Sequence, residues 1–314
     1  MNHRIRNVVI ILILAAGIVV PLWLWMRPSA PEERASAVVS ASPTPISGRL
    51  RLAVDRSLMP VATVQSRAFS DQYAKASIAL DRSSSRPVLQ LLRHEAGAVL
   101  IEGALSAEED SVITAMQRSP RQQPVARNAM VLVVNRANPV ASFTLDELRQ
   151  IFSGKVTNWS AVGGPSGRIV PCLNGSDWRS RLVLSSLLFG KRNELDAAAE
   201  PTLEALLERV RRDCNVVAAI TMPAWAEALR SGENGGRLRA VPVVGDDGGV
   251  PVTASPATVY HGDYPLSTVV LYLYDPYDPL ATGFGAWLSK DGQKLFERGD
   301  MAPYQQLVRT IIIK

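Results

Sequence analysis

Residues 124–164 read PVARNAMVLVVNRANPVASFTLDELRQIFSGKVTNWSAVGG. The run MVLVVN is a fully apolar strand, and the loop Asn135-Arg136-Ala137-Asn138-Pro139 after it is placed where a chain would cross between two lobes. Thr144 reads as the N-cap of the next helix, and Glu147 three residues on closes a capping box. Leu145, Leu148, Ile151 and Phe152 fall on one helical face, and Gly154 stops the helix in the C′ position. A Trp-bearing loop then ends in Gly163-Gly164. Local physics accounts for this shape without naming a function.

The same alternation continues on both sides. RLRLAV, ASIAL, AGAVLIEGAL, RIVPCLN, NVVAAITM and STVVLYLY read as strands, and VATVQSRAFSDQY, RPVLQLLRHE, RSRLVLSSLLFG, TLEALLERVRRD, PAWAEALRSG and GFGAWLSKDGQKLFER as helices. Strands alternating with helices define an α/β chain with a mainly parallel sheet covered on both faces. The folded part fits one wide sheet or two smaller lobes, and HGDYP at 261–265 is a second candidate crossing. With 314 residues, 47% hydrophobic and 20% charged, the chain can bury sizeable cores, which excludes wholesale disorder. Of its 34 Lys and Arg and 29 Asp and Glu, four and two precede residue 49, leaving 30 against 27 in the folded part. That balance is too even for a nucleic-acid binder, and Arg209-Val210-Arg211-Arg212 reads as a solvated helix face.

His3, Arg4 and Arg6 precede VVIILILAAGIVVPLWLWM, residues 8–26, which carry no charge. A run of that length crosses a bilayer as a helix, with Trp23 and Trp25 at the far interface and the preceding Arg residues holding the N-terminus in the cytoplasm. Residues 1–26 are read as an uncleaved single-pass membrane anchor, or alternatively as a secretory signal cut near Ala35-Ser36-Ala37. Both readings export the remainder. Residues 27–48 form a flexible Pro-, Ser- and Ala-rich linker.

A search for chemistry returns little. There is no Gly-x-Ser-x-Gly elbow, phosphate-cradling Gly-rich loop, His-Glu-x-x-His or paired-Cys metal motif, and the three His are isolated in sequence. No enzyme activity, metal or cofactor is expected. Asp246-Asp247-Gly248-Gly249 lacks the spaced oxygen ligands of a calcium loop and reads as a tight turn, and YDPYDP at 274–279 as a Pro-stiffened loop with packed tyrosines. Three polar clusters each sit between a strand and a helix: Asp55-Arg56-Ser57, Ser83-Ser84-Ser85 and Asn174-Gly175-Ser176. Each places hydroxyls and backbone N–H groups at a helix start, at the strand ends where open α/β sheets bind ligands. Ordinary capping accounts for any one alone. The set, with Arg56 and Arg179 beside two of them, points to an anion.

Residues 124–164 closely resemble the middle of the phosphate ABC-transporter substrate-binding protein family. Its members run an Ala-rich strand ending in Val-Asn, then Asn-Pro, a Leu-x-x-Leu-x-x-Ile-Phe helix, Ser-Gly-Lys, and Asn-Trp before Gly-Gly. RSLMPVATVQSRAFSDQY is similar to the family's first loop and helix, and YPLSTVVLYLY with GAWLSKDGQKLFERGDMAPY to its closing strand, helix and terminal Pro segment. The resemblance implies an α/β, two-lobed periplasmic-binding-protein-like fold of type II, with lobe I in 49–130 and 258–314 and lobe II in 131–257. It also implies a domain on the periplasmic side of the inner membrane that binds phosphate or another small anion between its lobes. The residues implied are Arg56, Ser57, Ser84, Ser85, Gly175, Ser176 and Arg179. An ABC permease or a membrane sensor is the implied partner, and a ligand-free sensory or interaction module is the alternative on the same fold.

Several positions depart from the family pattern. The first loop has Arg56-Ser57 in place of Gly-Ser, and the strand Asp that accepts the proton of a protonated phosphate falls at Gly97. The Arg-x-x-Gly-Ser-Gly-Thr-Arg loop becomes Cys172-Leu173-Asn174-Gly175-Ser176-Asp177-Trp178-Arg179, which loses an Arg and a Thr and gains an acid. A desolvated phosphate needs charge-assisted hydrogen bonds on nearly every oxygen, so Arg179 is left as the main charge. Cys172 and Cys214 are an even pair in an exported chain, placed in one lobe by the resemblance, and are expected as a disulfide; the other reading is two buried free thiols.

Overall fold

The computed structural model describes residues 43–81, 86–190, 194–231 and 236–305. The apolar span 8–26, Ser84 and Ser85 lie outside them, and among the described residues no helix is long and apolar enough to cross a membrane.

Strands β1 (Gly48–Val54), β2 (Ala76–Asp81) and β3 (Ala98–Glu102) pair in parallel, connected through α1 (Met59–Gln72) and α2 (Pro87–Leu92). The period of two in β1 divides its side chains between cores. Leu52 and Val54 pack with Phe69, Tyr272 and Phe284, whereas Ala53 packs with Val88, Leu91 and Ile101 on the other face. Helix α3 (Ala107–Ala115) follows β3. It buries none of its residues, so no apolar stripe announces it.

Strand β4 (Arg121–Asn135) then runs through both lobes. Its first half pairs antiparallel with β11 (Ser267–Tyr274), Ala129 opposite Ser267, and its second half with β8 (Val216–Thr221), Met130 opposite Thr221. The crossing therefore lies inside β4, near Asn128–Met130, rather than at 135–139. Asn135 instead ends the strand deep in the second lobe, where its Nδ2 donates to the carbonyls of Val210 and Arg211. MVLVVN is only the buried half of this strand. Its polar half contains Pro124, which has no N–H for the ladder, and the pairing shifts there between Val270 and Leu271.

The short β5 (Phe143–Thr144) leads into α4 (Leu145–Phe152), built as its sequence specifies. Both capping-box bonds between Thr144 and Glu147 form, Leu145, Leu148, Ile151 and Phe152 are buried, and Gly154 takes φ +73°. Next come β6 (Val170–Asn174), α5 (Trp178–Phe189), β7 (Ala198–Glu200), α6 (Leu203–Arg212), β8 and α7 (Met222–Arg230). Strand β6 pairs in parallel with both β7 and β8, and β9 (Leu238–Val241) adds antiparallel to β4. Strand β10 (Val243–Val244) pairs with β5.

Helix α8 (Pro256–His261) belongs to the second core, since Val259, Tyr264 and Leu266 pack with Val133, Phe152 and Leu184. The buried Tyr264 hydroxyl donates to the Met130 carbonyl at 2.9 Å. The chain thus returns to the first lobe at Ser267 rather than at residue 258. In the last helical stretch a break at Lys290 (φ −120°, ψ −91°) separates α9 (Pro279–Ser289) from α10 (Asp291–Arg298), and β12 (Ala302–Pro303) closes against β4. The sheet order is β2-β1-β3-β11-β4-β8-β6-β7. Of the tyrosines in YDPYDP, Tyr274 stacks on Tyr272 but Tyr277 is 91% exposed.

The expected Cys172–Cys214 disulfide is not formed; both thiols are free, Cys172 buried and Cys214 exposed. Register is the reason. Cys172 stands opposite Ala218, and Cys214 lies before the first paired residue, Val216. Along a strand that offset amounts to about 13 Å, beyond the reach of a disulfide.

Candidate functional site

The lobes meet where β1, β3 and β6 end. Asp55 follows β1, Glu102 closes β3, and Arg179 stands in the first turn of α5; Asp55 and Arg179 are 2% exposed and Glu102 0%. Arg179 reaches from the second lobe into the first. Its Nε donates to the Glu102 carbonyl at 2.9 Å and lies 3.3 Å from Asp55 Oδ2, and its Nη1 donates to Glu109 Oε2 at 2.7 Å. Its Nη2 is buried without a hydrogen-bond partner. Asp55 Oδ2 also accepts the Glu102 backbone N–H at 2.8 Å. Glu102 Oε1 accepts from Asn128 Nδ2 at 2.8 Å, and its Oε2 from the Ser57 hydroxyl at 3.1 Å.

Local sequence sets each of these groups. Ser106 and Glu109 form the capping box of α3, which aims the Glu109 carboxylate back at the lobe boundary. Asp177 caps α5, accepting from the Ser180 N–H at 3.2 Å and the Ser180 hydroxyl at 2.7 Å. Gly103 takes φ +76°, and a Cβ there would stand 2.8 Å from Val183 Cγ2, so the lobes are in contact at this end.

The centre is buried and rich in acids. Burial pushes Asp55 up to about 7 despite the opposing pull of Arg179. Burial, with the Asp177 charge adding to it, pushes Glu102 up to about 8. Arg179 thus sits beside two carboxyl groups, Asp55 and Glu102, that hold their protons to near-neutral pH. Among the described residues no group of three or more His, Cys, Asp or Glu side chains is arranged to hold a metal ion.

Beside this centre a cavity of about 660 Å³ opens between the lobes, with Arg56 and Ser57 on one side and Ser176 on the other. Of the expected site residues, these three line the cavity. Arg179 does not line it; its Nε and Nη1 are turned to Asp55, the Glu102 carbonyl and Glu109. Gly175 fails as a donor because its N–H is given to the Glu200 carbonyl at 2.6 Å. Ser176 bonds to Asn174 Oδ1 through both its N–H (3.1 Å) and its hydroxyl (2.9 Å). The acid missing at Gly97 is also corrected: Gly97 precedes β3 and packs against Leu50 and Asp278, while Glu102 at the opposite end of that strand is the acid at the lobe boundary. The signal was present in AGAVLIEGAL, where a single charge ends a run of apolar residues. Asp55 and Glu109 were hidden by their ordinary appearance as turn and cap residues.

The fold and this inter-lobe site are those of a two-lobed binding protein. Residues 39–291 match the family model of the PBP superfamily domain, and the chain belongs to that family, one of binding domains rather than enzymes. Among curated proteins, Protein SphX of Synechococcus elongatus is 29% identical over 162 residues, 48% of this chain and 45% of the relative. The phosphate-binding protein PstS of Bacillus subtilis is 30% identical over 124 residues, 39% of this chain and 40% of the relative. The chain spans less than half the length of these curated relatives. A Clostridium perfringens substrate-binding protein solved with bound phosphate superposes with TM-score 0.66 at 20% identity, covering 82% of this chain and 100% of that one. An ABC-type phosphate transport receptor from Vibrio cholerae gives 0.65 at 19% identity, covering 81% and 99%. These two structures share the fold.

Proposed function

We propose that the protein is an exported solute-binding protein that takes phosphate or a related small anion between its lobes. The observation that carries this reading is the inter-lobe cavity flanked by Arg56, Ser57 and Ser176, in which Arg56 has no carboxylate partner among the described residues. A relative named for phosphate binding, and a neighbour of the same fold solved with phosphate bound, support the ligand class. In this reading residues 8–26 anchor the chain in the inner membrane, the tether expected over 27–48 ends at the folded part that begins at Pro43, and the two lobes stand on the periplasmic side next to an ABC permease or a membrane sensor.

One observation favours a second reading, a ligand-free sensory or interaction module. Asp55 and Glu109 already stand around Arg179 as counter-charges, where an incoming anion would bind. Titration calorimetry of the purified full chain with phosphate and sulfate separates the two. The first reading expects saturable binding of phosphate at pH 6, and about fivefold or more tighter binding by Glu109→Gln, which frees Nη1. Absence of binding by both proteins would favour the second.

A further inference from the structure

We infer that the inter-lobe cavity accepts an organic phosphate, a phosphate monoester carried on an apolar body, in preference to the bare inorganic ion; this rests on the anion-binding reading above. Size is the first reason. A volume of about 660 Å³ falls in the range of sites for drug-sized organic molecules, far beyond the needs of a five-atom anion. The walls are the second. Val61 and Val64 of α1 face the cavity from one lobe, and Leu203, Ile220 and Ala224 from the other. Val64 is 53% exposed, an apolar side chain left for a ligand to cover. An inorganic phosphate has nothing to place against these side chains and would give up hydration beside them without return.

Charge orients the ligand. Arg230, also in the lining, is held by Glu227 at 2.9 Å and Asp300 at 2.8 Å, and Asp177 is engaged by Ser180. Among the described lining residues Arg56 is the cation with no carboxylate partner, and Ser57 lies beside it. The headgroup belongs there. Glu204, an exposed lining acid at the start of α6, excludes a second negative charge on the body. The lobes touch at the Arg179 end, through its ion pairs and through Gly103 against Val183. Shrinking the cavity to the size of a bare ion would have to disturb those contacts.

The test is calorimetry of the full chain with inorganic phosphate, phenyl phosphate and phenol. Phenyl phosphate should bind about 10- to 100-fold tighter than phosphate, the gain from covering one ring, and phenol should not bind measurably. Val64→Asn, at a position exposed enough to accept a polar group, should remove most of that advantage. Ala224→Trp, filling the cavity from the opposite wall, should act in the same direction. Phenyl phosphate binding no tighter than phosphate overturns the inference and leaves the anion reading intact. Phenyl phosphate binding where phosphate does not supports the inference and replaces the inorganic ion as ligand. Phenol binding as well as phenyl phosphate overturns the headgroup assignment, and no binding by any of the three overturns both readings.

Discussion

Two arginines at the lobe interface, Arg179 and Arg56, were both expected as anion ligands on sequence grounds, Arg179 as the main charge, and the fold treats them in opposite ways. Arg179 is 2% exposed and held from three sides by groups of the other lobe, while Arg56 is exposed on the cavity wall with no ion-pair partner among the described residues. The first works as a cross-lobe tie and the second is available to a ligand. Residue type does not separate them; depth does. A cation buried among acids must be paired or it costs several kcal/mol, whereas one at the rim remains hydrated and loses little by waiting. The closed end of the interface is therefore a structural element as much as a binding one, and substitutions there should be felt in stability before they are felt in affinity.

The largest expected effect comes from cutting the tie. Arg179→Met keeps the bulk but leaves Asp55 and Glu109 without their buried counter-charge. We expect a loss of about 3–5 kcal/mol, a melting temperature lower by roughly 6–15 °C, in thermal denaturation at pH 7. Arg56→Met should change the melting temperature by no more than about 1–2 °C. If the two variants melt together, the contrast between the closed and open ends is false.

Glu102→Gln is expected next in size, and its effect depends on pH. The Glu102 carboxyl goes from 4.5 in the unfolded chain to about 8 in the fold, so the folded state binds the proton more tightly. Its contribution to stability is complete below about pH 4.5 and is lost as pH rises through about 8. Asp55, raised from 3.8 to about 7, adds a slope of the same sign. Wild type should therefore lose stability from pH 5 to pH 8.5. Glu102→Gln, which keeps the shape and cannot ionise, should flatten that slope and be more stable than wild type at pH 8.5 by on the order of 2–4 kcal/mol. Urea denaturation at the two pH values measures it, and parallel slopes in both proteins would show that Glu102 is not the group that titrates.

How much of this was legible in the chain depended on distance along it. The stretch 124–164 specified its helix, cap and stop because each contact spans three or four residues, and Thr144 and Glu147 form both bonds their spacing requires. The α/β alternation followed from the same local periodicities, which left one wide sheet or two lobes open; the two-lobed architecture was implied only by the resemblance of residues 124–164 to a known family. The site did not, because it is assembled from far apart: 47 positions separate Asp55 from the Glu102 N–H it binds, and 77 separate Arg179 from the Glu102 carbonyl. Cys172 and Cys214 were misjudged for a related reason, since lying in or beside neighbouring strands says nothing of register. Arg209 was expected on a solvated face and instead forms an ion pair with Glu200, the last residue of β7. No local pattern could have placed that strand edge beside it.

The same strand edge carries the smallest effect, and it tests whether the open end depends on backbone packing rather than on side-chain donors. Gly175 follows β6 with its N–H on the Glu200 carbonyl, and a Cβ added there would stand 2.9 Å from that oxygen and 3.3 Å from Ala199 Cβ. Both obstacles belong to β7, whose register with β6 pairs Asn174 with Glu200, so neither can swing aside as a long side chain would. Gly175→Ala should push β7 outward and cost roughly 1–3 kcal/mol in urea denaturation. Asn174 and Ser176 line the cavity on either side of this glycine, so ligand affinity should fall with stability, while the Arg179 tie, anchored on β3 and α3, stays in place. The pH slope assigned to Glu102 should accordingly persist in Gly175→Ala. A variant that lost the slope together with the affinity would mean that the two ends of the interface are one cooperative unit, and that the tie and the cavity cannot be varied separately.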